Sequence, residues 1–286
     1  MMLPFLRTTL AFGACLAVVV IATASDQGSM ANNAGLIVFS SNRSGPWRIW
    51  TVRPDGTEMK RLADGDPDEH DVDPRFIPDG DAILFSSTRG GAVGVWKMAA
   101  DGSRPERICD GDQADWSPDG KSVVFRRSER LFTRELASGE EKCISPEDWP
   151  HCSGPAYGPD GKTIAFACRW DGGNAIYVVA ADGGEPTKVY DRKGACEPHW
   201  SPDGKRLVYE TETNVAAVNP DGTKNRPVTW FGGIQRYPEW SPDGKSIVFC
   251  QGPSERGPWE LYRIASQGGT PEKITEGGSD MNPDWK

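Results

Sequence analysis

The fold is decided by one stretch, YPEWSPDGKSIVF at residues 237–249, because close copies of it recur along the chain. The copies are DPRFIPDGDAILF, QADWSPDGKSVVF, GPAYGPDGKTIAF and EPHWSPDGKRLVY, which begin at Asp73, Gln113, Gly154 and Glu197. Their aromatic fourth residues are Phe76, Trp116, Tyr157, Trp200 and Trp240, and NPDWK at the end of the chain adds Trp285. Successive steps between these anchors are 40, 41, 43, 40 and 45 residues. A period of about 42 residues is typical of one four-stranded propeller blade.

Each copy predicts a tight turn followed by a strand. In Ser-Pro-Asp-Gly, the proline suits the second position of a type I turn, and the glycine suits the left-handed position after it. The residues that follow, such as KSIVF, alternate and are rich in β-formers, so they predict a strand. A second turn sequence recurs in the units, as in RPDGT from Arg53 and NPDGT from Asn219. Each repeat is therefore predicted to hold four strands, A to D, with tight A–B and C–D turns.

The two ends of the repeat region complete one another. Trp285 lies on a strand A with no B, C or D after it, and GLIVFSSNR from Gly35 looks like a strand B with no A before it. We therefore predict an all-β fold, a six-bladed β-propeller of four-stranded antiparallel blades over residues 35–286. Its sixth blade is shared between residues 35–62 and 282–286, so pairing of the N- and C-terminal strands closes the ring and removes open sheet edges.

The start of the chain predicts export. Residues 1–24 carry one charge, Arg7, then an apolar run that ends in Ala-Thr-Ala, which is typical of a cleaved signal peptide. The alternative is a retained anchor, for which the uncharged stretch of 18 residues is short. Residues 25–34 then form a short linker. We expect a periplasmic or secreted protein without a membrane span after cleavage.

The charge of the chain limits the classes of possible partner, and its cysteine content limits the possible disulfides. The 32 basic side chains include Arg7, so the chain after residue 24 has 31 against 41 acidic ones, a formal charge of −10. This excludes a nucleic-acid binder, which needs a basic surface, and favours a neutral or basic partner. Six cysteines remain after cleavage, and six allow 15 disulfide connectivities. Export allows a disulfide to persist, and the spacing leaves its identity open.

The W-S-P-D-G-K units, which recur at the same position of each repeat, resemble the TolB-type β-propeller family with its WD-like repeats. The resemblance covers residues 35–286 and implies a periplasmic scaffold whose propeller face receives peptides of envelope proteins. Members such as TolB itself carry an α/β domain before the propeller. Here about ten residues separate the predicted signal peptide from the first strand, so we expect that domain to be absent.

The B–C and D–A loops vary more than the Pro-Asp-Gly turns and are predicted to form the binding face. Five tryptophans outside the repeat positions fall in or beside these loops, and indole suits recognition surfaces. Tryptophans that only cap interblade cores are the alternative. The predicted binding residues are Trp47, His70, Asp71, Asp73, Trp149, His151, Trp170, Glu197, His199, Trp230, Arg236, Tyr237 and Trp259.

Metal binding and catalysis are the competing hypotheses. Asp64, Asp66 and Asp68 have the alternate spacing of a calcium loop, but Glu69 and Arg75 stand where an EF-hand needs Gly and Glu. The three histidines come from different repeats, and a transition-metal site would need them to converge. No Gly-x-Ser-x-Gly motif is present. We therefore expect no required cofactor, with a calcium or transition-metal site as the open alternative.

The sequence thus predicts a monomeric propeller that binds a peptide or protein of the cell envelope and has no catalysis of its own. The alternative is a metal-assisted lyase or hydrolase acting on an extracellular carbohydrate. A purely structural envelope module is a third hypothesis.

Overall fold

The computed structural model describes residues 35–149, 151–170, 173–191 and 194–286, with only the backbone of Trp170 included. The predicted signal peptide, residues 1–24, and linker, residues 25–34, lie outside this part of the chain. The described residues form 24 β-strands and contain no helix. The strands make six antiparallel sheets of four, which confirms the predicted all-β class.

The sheets are named blades I to VI in chain order. Blade I contains β24 (Asp280–Trp285), β1 (Ile37–Ser41), β2 (Arg48–Val52) and β3 (Lys60–Arg61). Blade II contains β4 (Asp71–Phe76), β5 (Ala82–Ser87), β6 (Gly94–Ala99) and β7 (Glu106–Asp110). Blade III contains β8 (Asp112–Trp116), β9 (Ser122–Arg127), β10 (Arg130–Glu135) and β11 (Glu141–Cys143).

The other three blades follow the same order of strands A to D. Blade IV contains β12 (Cys152–Tyr157), β13 (Thr163–Trp170), β14 (Gly173–Ala180) and β15 (Thr187–Tyr190). Blade V contains β16 (Cys196–Trp200), β17 (Leu207–Glu210), β18 (Val215–Val218) and β19 (Arg226–Pro227). Blade VI contains β20 (Ile234–Trp240), β21 (Ser246–Gly252), β22 (Glu260–Ala265) and β23 (Glu272–Lys273).

The A strands form a closed inner ring. Each A strand contacts the A strand of the next blade, from β4 through β8, β12, β16 and β20 to β24 and back to β4. Blade I joins the chain ends, with Ile37 opposite Trp285. The Leu36 N–H donates to the Lys286 carbonyl at 3.0 Å, and the Lys286 N–H donates to the Leu36 carbonyl at 2.9 Å. The predicted closure is confirmed, and its A strand begins two residues before the predicted position 282.

The hydrophobic core lies between neighbouring blades and is built from the apolar run after each turn. The last aromatic residue of that run is buried in every B strand, because alternation directs it towards a neighbouring blade. These residues are Phe39, Phe85, Phe125, Phe166, Tyr209 and Phe249. The repeated aromatic therefore fixes how each blade packs.

The Ser-Pro-Asp-Gly segments form the predicted A–B turns. In blade III the Gly120 N–H donates to the Ser117 carbonyl at 2.8 Å, and Gly120 has φ of +66°. The Ser117 hydroxyl donates to the Asp119 carboxylate at 2.7 Å. This bond and the Lys121 N–H lower the pKa of Asp119, so the charged aspartate holds the turn closed.

Each A strand carries a bulge three residues before its aromatic anchor. The residues at this position have φ between 48° and 55°, and the A–B register shifts beside them. They are Asp73, Gln113, Gly154, Glu197, Tyr237 and Asn282. A bulge re-aims the side chains that follow it. Here it places two rings of side chains on the axis of the propeller, one at the bulge and one directly before the anchor.

Candidate functional site

The predicted binding residues occupy three distinct places in the structure. Some lie on the face formed by the B–C and D–A loops, some line the axis, and some are internal. The opposite face, formed by the A–B and C–D turns, was not predicted to contain a site.

Asp71 is a structural residue. It is fully buried, and its carboxylate accepts hydrogen bonds from the Ser87 hydroxyl at 2.7 Å and from Arg89 at 2.6 Å. Asp280 repeats this arrangement in blade I, with Ser41 at 2.6 Å and Arg43 at 2.5 Å. The carboxylate of Asp71 is thus occupied inside blade II, and Asp71 is not part of a surface.

Trp259 is also internal, contrary to its predicted place on the binding face. It is 5% exposed and packs in the core between blades VI and I with Phe39 and Leu261. Trp149 is half-buried, and its ring meets Tyr177 edge-on at 4.5 Å between centroids. For these two tryptophans the capping alternative fits the packing. Trp170 ends β13, and its side chain lies outside the described part of the chain.

Trp230 is the most exposed large hydrophobic side chain in the described part of the chain, at 61%. Its backbone belongs to the D–A loop after blade V, but its ring lies against Gly268 in the C–D turn of blade VI. A Cβ built on Gly268 would lie 2.6 Å from the ring. Trp230 therefore belongs to the outer wall between blades V and VI more than to the loop face.

Trp47, His70 and His151 remain on the loop face. Trp47 is half-buried, and its backbone N–H donates to Nδ1 of the exposed His70 at 3.3 Å. His151 is exposed, and its Nδ1 lies 2.6 Å from the Glu129 carboxylate. These side chains are available to a partner.

Arg236 connects loops of two blades. Its guanidinium donates to the Thr211 and Glu212 carbonyls, each at 2.9 Å, and to the Glu255 carboxylate at 2.7 Å. It therefore ties the B–C loop of blade V to that of blade VI. Nearby, burial and then the charge of Glu197 raise the pKa of Glu210 to about 7.

The ring of bulge residues lines a narrow part of the axis. Asp73, Glu197 and Gln113 border a cavity of about 10 Å³ there. Gln113 donates to the Glu197 carboxylate at 3.5 Å. Burial, and then the charge of Glu197, raise the pKa of Asp73 to about 6. The predicted residues Asp73 and Glu197 thus line the channel interior, and Tyr237 packs against the core between blades VI and I.

The second ring consists of the residues directly before each aromatic anchor. Its members are Arg75, Asp115, Ala156, His199, Glu239 and Asp284, of which only His199 was predicted. The signal was present in the sequence, because the residue before the aromatic is charged or a histidine in five of six repeats. Variable residues at a fixed repeat position that faces the axis are candidates for function.

Three members of this ring form a hydrogen-bonded chain across the axis. His199 Nε2 lies 3.1 Å from Nη2 of Arg75, and His199 Nδ1 lies 2.9 Å from the Glu239 carboxylate. Arginine has no acceptor, so Nε2 must accept, and the proton is on Nδ1, which donates to Glu239.

Two further carboxylates of the ring link neighbouring blades. The Phe76 N–H donates to Asp284 and the Tyr157 N–H donates to Asp115, both at 2.8 Å. Burial raises the pKa of Asp284 to about 7, although Arg75 lowers it in part. Burial also raises the pKa of Asp115, again against the effect of Arg75. One arginine thus faces three carboxylates, so the ring favours an added cation.

This second ring forms the floor of a funnel that opens on the turn face. The funnel has a volume of about 230 Å³. Its walls are aromatic anchors and turn prolines, including Trp116, Trp200, Pro118 and Pro202. A larger groove of about 600 Å³ lies between blades III and IV, where five carboxylates stand against the two lysines Lys142 and Lys162. The carboxylates of the groove are exposed, whereas those of the funnel, Asp115, Glu239 and Asp284, are half-buried.

The structure does not assemble a metal site from the described residues. No group of three or more His, Cys, Asp or Glu side chains in that part of the chain could hold a metal ion. His70, His151 and His199 contact different partners in different blades. Across the same residues, no helix is long and apolar enough to cross a lipid bilayer.

Comparison with known proteins identifies the repeat. The family model described as TolB beta propeller domain matches residues 28–146 and 126–286. Among curated proteins, an uncharacterized peptidase, YuxL of Bacillus subtilis, is 30% identical over 104 residues. That match covers 32% of this chain and 16% of YuxL. The Tol-Pal system protein TolB of Geobacter sulfurreducens is 48% identical over 44 residues, 15% of this chain and 10% of that protein. The matches therefore span only a small part of these relatives.

Solved structures share the fold at low identity. The crystal structure of TolB from Acinetobacter baumannii has a TM-score of 0.74 and 20% identity, covering 88% of this chain and 66% of that chain. An oligogalacturonate lyase in complex with manganese has a TM-score of 0.56 and 17% identity, covering 86% of this chain and 73% of that chain. At these identities the likeness concerns the fold alone.

Proposed function

Because this chain belongs to the TolB β-propeller domain family, we propose that it is a non-catalytic module that binds a peptide or protein segment of the cell envelope. The protein would act in the periplasm or after secretion, as the predicted signal peptide requires. The partner is neutral or basic, and the propeller acts as a monomer. The closed ring supports a monomer, since pairing of β1 with β24 removes the long sheet edges that promote association.

The observation that carries this proposal is the axial funnel. Asp115, Glu239 and Asp284 face a single guanidinium, that of Arg75, at the bottom of an apolar mouth. A basic side chain or chain terminus entering the funnel would gain charge pairing in a poorly solvated place, where such pairing is strongest. The aromatic and proline walls would bury the apolar part of the same segment.

The loop face remains the second surface of the proposal. Trp47, His70 and His151 are accessible there, and His70 ends the acidic loop of residues 64–70. The cavity at the bulge ring has a volume of only about 10 Å³, so a peptide cannot pass along the axis. A partner that contacts both faces would have to reach around the outside of the propeller. The funnel and the loop face are therefore separable by mutation.

The test begins with capture of partners from an envelope extract on immobilised full-length protein, followed by mass spectrometry. The contacting segment is then synthesised and titrated by calorimetry. We expect the double variant Asp115→Asn/Asp284→Asn to bind at least about tenfold more weakly, because two carboxylates lose their charge while amide oxygens can still accept the backbone N–H groups.

Two other variants complete the experiment. Trp47→Ala/His70→Ala tests the loop face, and Glu185→Gln/Asp221→Asn removes two exposed charges far from the axis as a control. Weakening by the loop-face variant alone would move the site to the loop face. If no captured segment binds the purified propeller, the binding function itself is wrong.

A further inference from the structure

Blades I and II share a lock between strands A and B. The first residue of strand A is an aspartate and lies opposite the last serine of strand B, as in Asp280 with Ser41 and Asp71 with Ser87. Their hydrogen bonds are 2.6 and 2.7 Å long, and all four residues are buried. The pair holds the two strands together where the chain enters the blade from the loop face.

Blade IV has two cysteines at this register. Cys152 is the first residue of β12 and lies opposite Cys168 on β13. Both side chains are fully buried, and their sulfur atoms are 3.0 Å apart. They belong to the core cluster on which Trp149 packs. The polar lock of blades I and II is thus replaced in blade IV by two thiols in contact.

The backbone around this pair suits a covalent bond. The Arg169 N–H donates to the His151 carbonyl at 3.4 Å, and the Cys152 N–H donates away from β13, to the Glu129 carbonyl at 2.8 Å. This pattern makes Cys152 and Cys168 a non-hydrogen-bonded antiparallel pair, in which Cα atoms lie about 4.5 Å apart. That separation is within the range that a disulfide spans without backbone movement.

The two thiols are not equivalent. The S–H of Cys152 donates to the Cys168 sulfur and lowers the pKa of Cys168. The same interaction, with burial, raises the pKa of Cys152. In the folded protein Cys168 is therefore the more acidic of the two thiols.

We propose that Cys152 and Cys168 form a disulfide that locks strand A to strand B of blade IV. One of the two cysteine thiolates attacks one sulfur of a disulfide oxidant, a low-molecular-weight disulfide or a thiol–disulfide oxidoreductase, and displaces one thiolate of it. The other cysteine thiolate then attacks the protein sulfur of the mixed disulfide and displaces the second. Two protein thiols are oxidised, one oxidant disulfide is reduced to two thiols, and the two protons end on those thiols.

The other cysteines near the loop face have different contacts. The Cys196 thiol lies 3.3 Å from the Glu210 carboxylate, and the Cys143 thiol lies 3.7 Å from the Ser145 carbonyl. Cys152 and Cys168 are the one pair in sulfur–sulfur contact among the described residues. Because both are buried, oxidation takes place while blade IV is still open during folding, and a reductant reaches the finished bond only when the blade opens again, as it does on unfolding. This inference is independent of the proposed binding function.

Peptide mapping tests the bond directly. The full chain is refolded with a mixture of reduced and oxidised glutathione, alkylated, digested without reduction and analysed by mass spectrometry. We expect a linked pair of peptides that contain Cys152 and Cys168, and alkylated Cys109, Cys143, Cys196 and Cys250. Alkylated Cys152 and Cys168 in the refolded protein, or a bond between other cysteines, would overturn the proposal.

Thermal unfolding tests the lock. For the wild type we expect dithiothreitol to lower the midpoint by about 5 °C, because the bond restrains the unfolded chain across 16 positions. The variant Cys152→Ala/Cys168→Ala should show no such shift, and Cys196→Ala should keep it. An equal shift in the wild type and the double variant contradicts the lock. If the double variant does not fold, the peptide map of the wild type alone decides.

Discussion

At the scale of single residues, burial perturbs ionisable groups on the axis of this propeller and beside it. The pKa of Asp73 is raised to about 6, and those of Glu210 and Asp284 are raised to about 7. In each case burial is the largest cause, because the charged form loses hydration that nearby cations only partly replace. Protonation of these groups therefore stabilises the folded state.

Glu210 gives a prediction for the pH dependence of stability. Its folded pKa of about 7 lies above the ordinary 4.5. The folded state therefore binds the proton more tightly, and the wild type loses stability as pH rises from about 4.5 to 7. Glu210→Gln removes this loss while its amide oxygen still accepts the Tyr237 N–H that Glu210 binds at 2.6 Å.

Urea unfolding at pH 5 and pH 8 measures the effect. We expect the Gln variant to gain about 2 to 3 kcal/mol of unfolding free energy relative to the wild type between these pH values, at about 1.4 kcal/mol for each unit of pKa. Asp73 and Asp284 contribute the same pH dependence of unfolding free energy to both proteins, so their contributions cancel in the difference. Parallel pH profiles for the two proteins would show that Glu210 ionises normally in the fold.

At the scale of elements, the A–B turns depend on left-handed glycine, and this makes a matched pair of substitutions informative. Gly244 has φ of +68° and closes the turn of blade VI. Gly232 lies in a loop and does not itself have positive φ, and a Cβ there would meet nothing within 4 Å. Only the first position requires glycine for its backbone.

We expect Gly244→Ala to lower the unfolding free energy by about 1 to 2 kcal/mol, since a Cβ in left-handed backbone is strained by about that amount. Gly232→Ala should leave it unchanged or raise it slightly, because alanine restricts the unfolded chain more than glycine does. Chemical denaturation of both variants provides the measurement. Equal effects at the two positions would mean that the turn relaxes into another conformation.

At the scale of the whole molecule, the ring is closed by strands from opposite ends of the chain. Asp280 and Asp71 make equivalent buried contacts with Arg43 and Arg89. The Asp71 contact joins strands that are consecutive in sequence, whereas the Asp280 contact joins residues 237 positions apart. The same chemistry thus stabilises a hairpin in one blade and the closure in another.

Replacing each aspartate with alanine tests this difference. Each change leaves a mostly buried arginine without its carboxylate, so we expect both to lower the unfolding free energy by about 3 kcal/mol. Hydrogen exchange should then separate them. Asp280→Ala should speed exchange along β1 and β24, and Asp71→Ala along β4 and β5. Unchanged protection of β1 and β24 in the Asp280 variant would show that closure does not depend on this contact.

The sequence by itself determined the blades, their turns and their closure. The blades and turns are local properties, because the turn residues, the alternation and the period of about 42 residues act within each repeat, and closure follows because the partial units at residues 35–62 and 282–286 complete one another. Only the tertiary structure decided which side chains meet. It buried Trp259, turned the ring of Trp230 to the outer wall and brought Arg75, His199 and Glu239 together from blades II, V and VI. The spacing of these three residues in the sequence does not predict how each inner strand is oriented towards the axis. That orientation is set by the packing between blades.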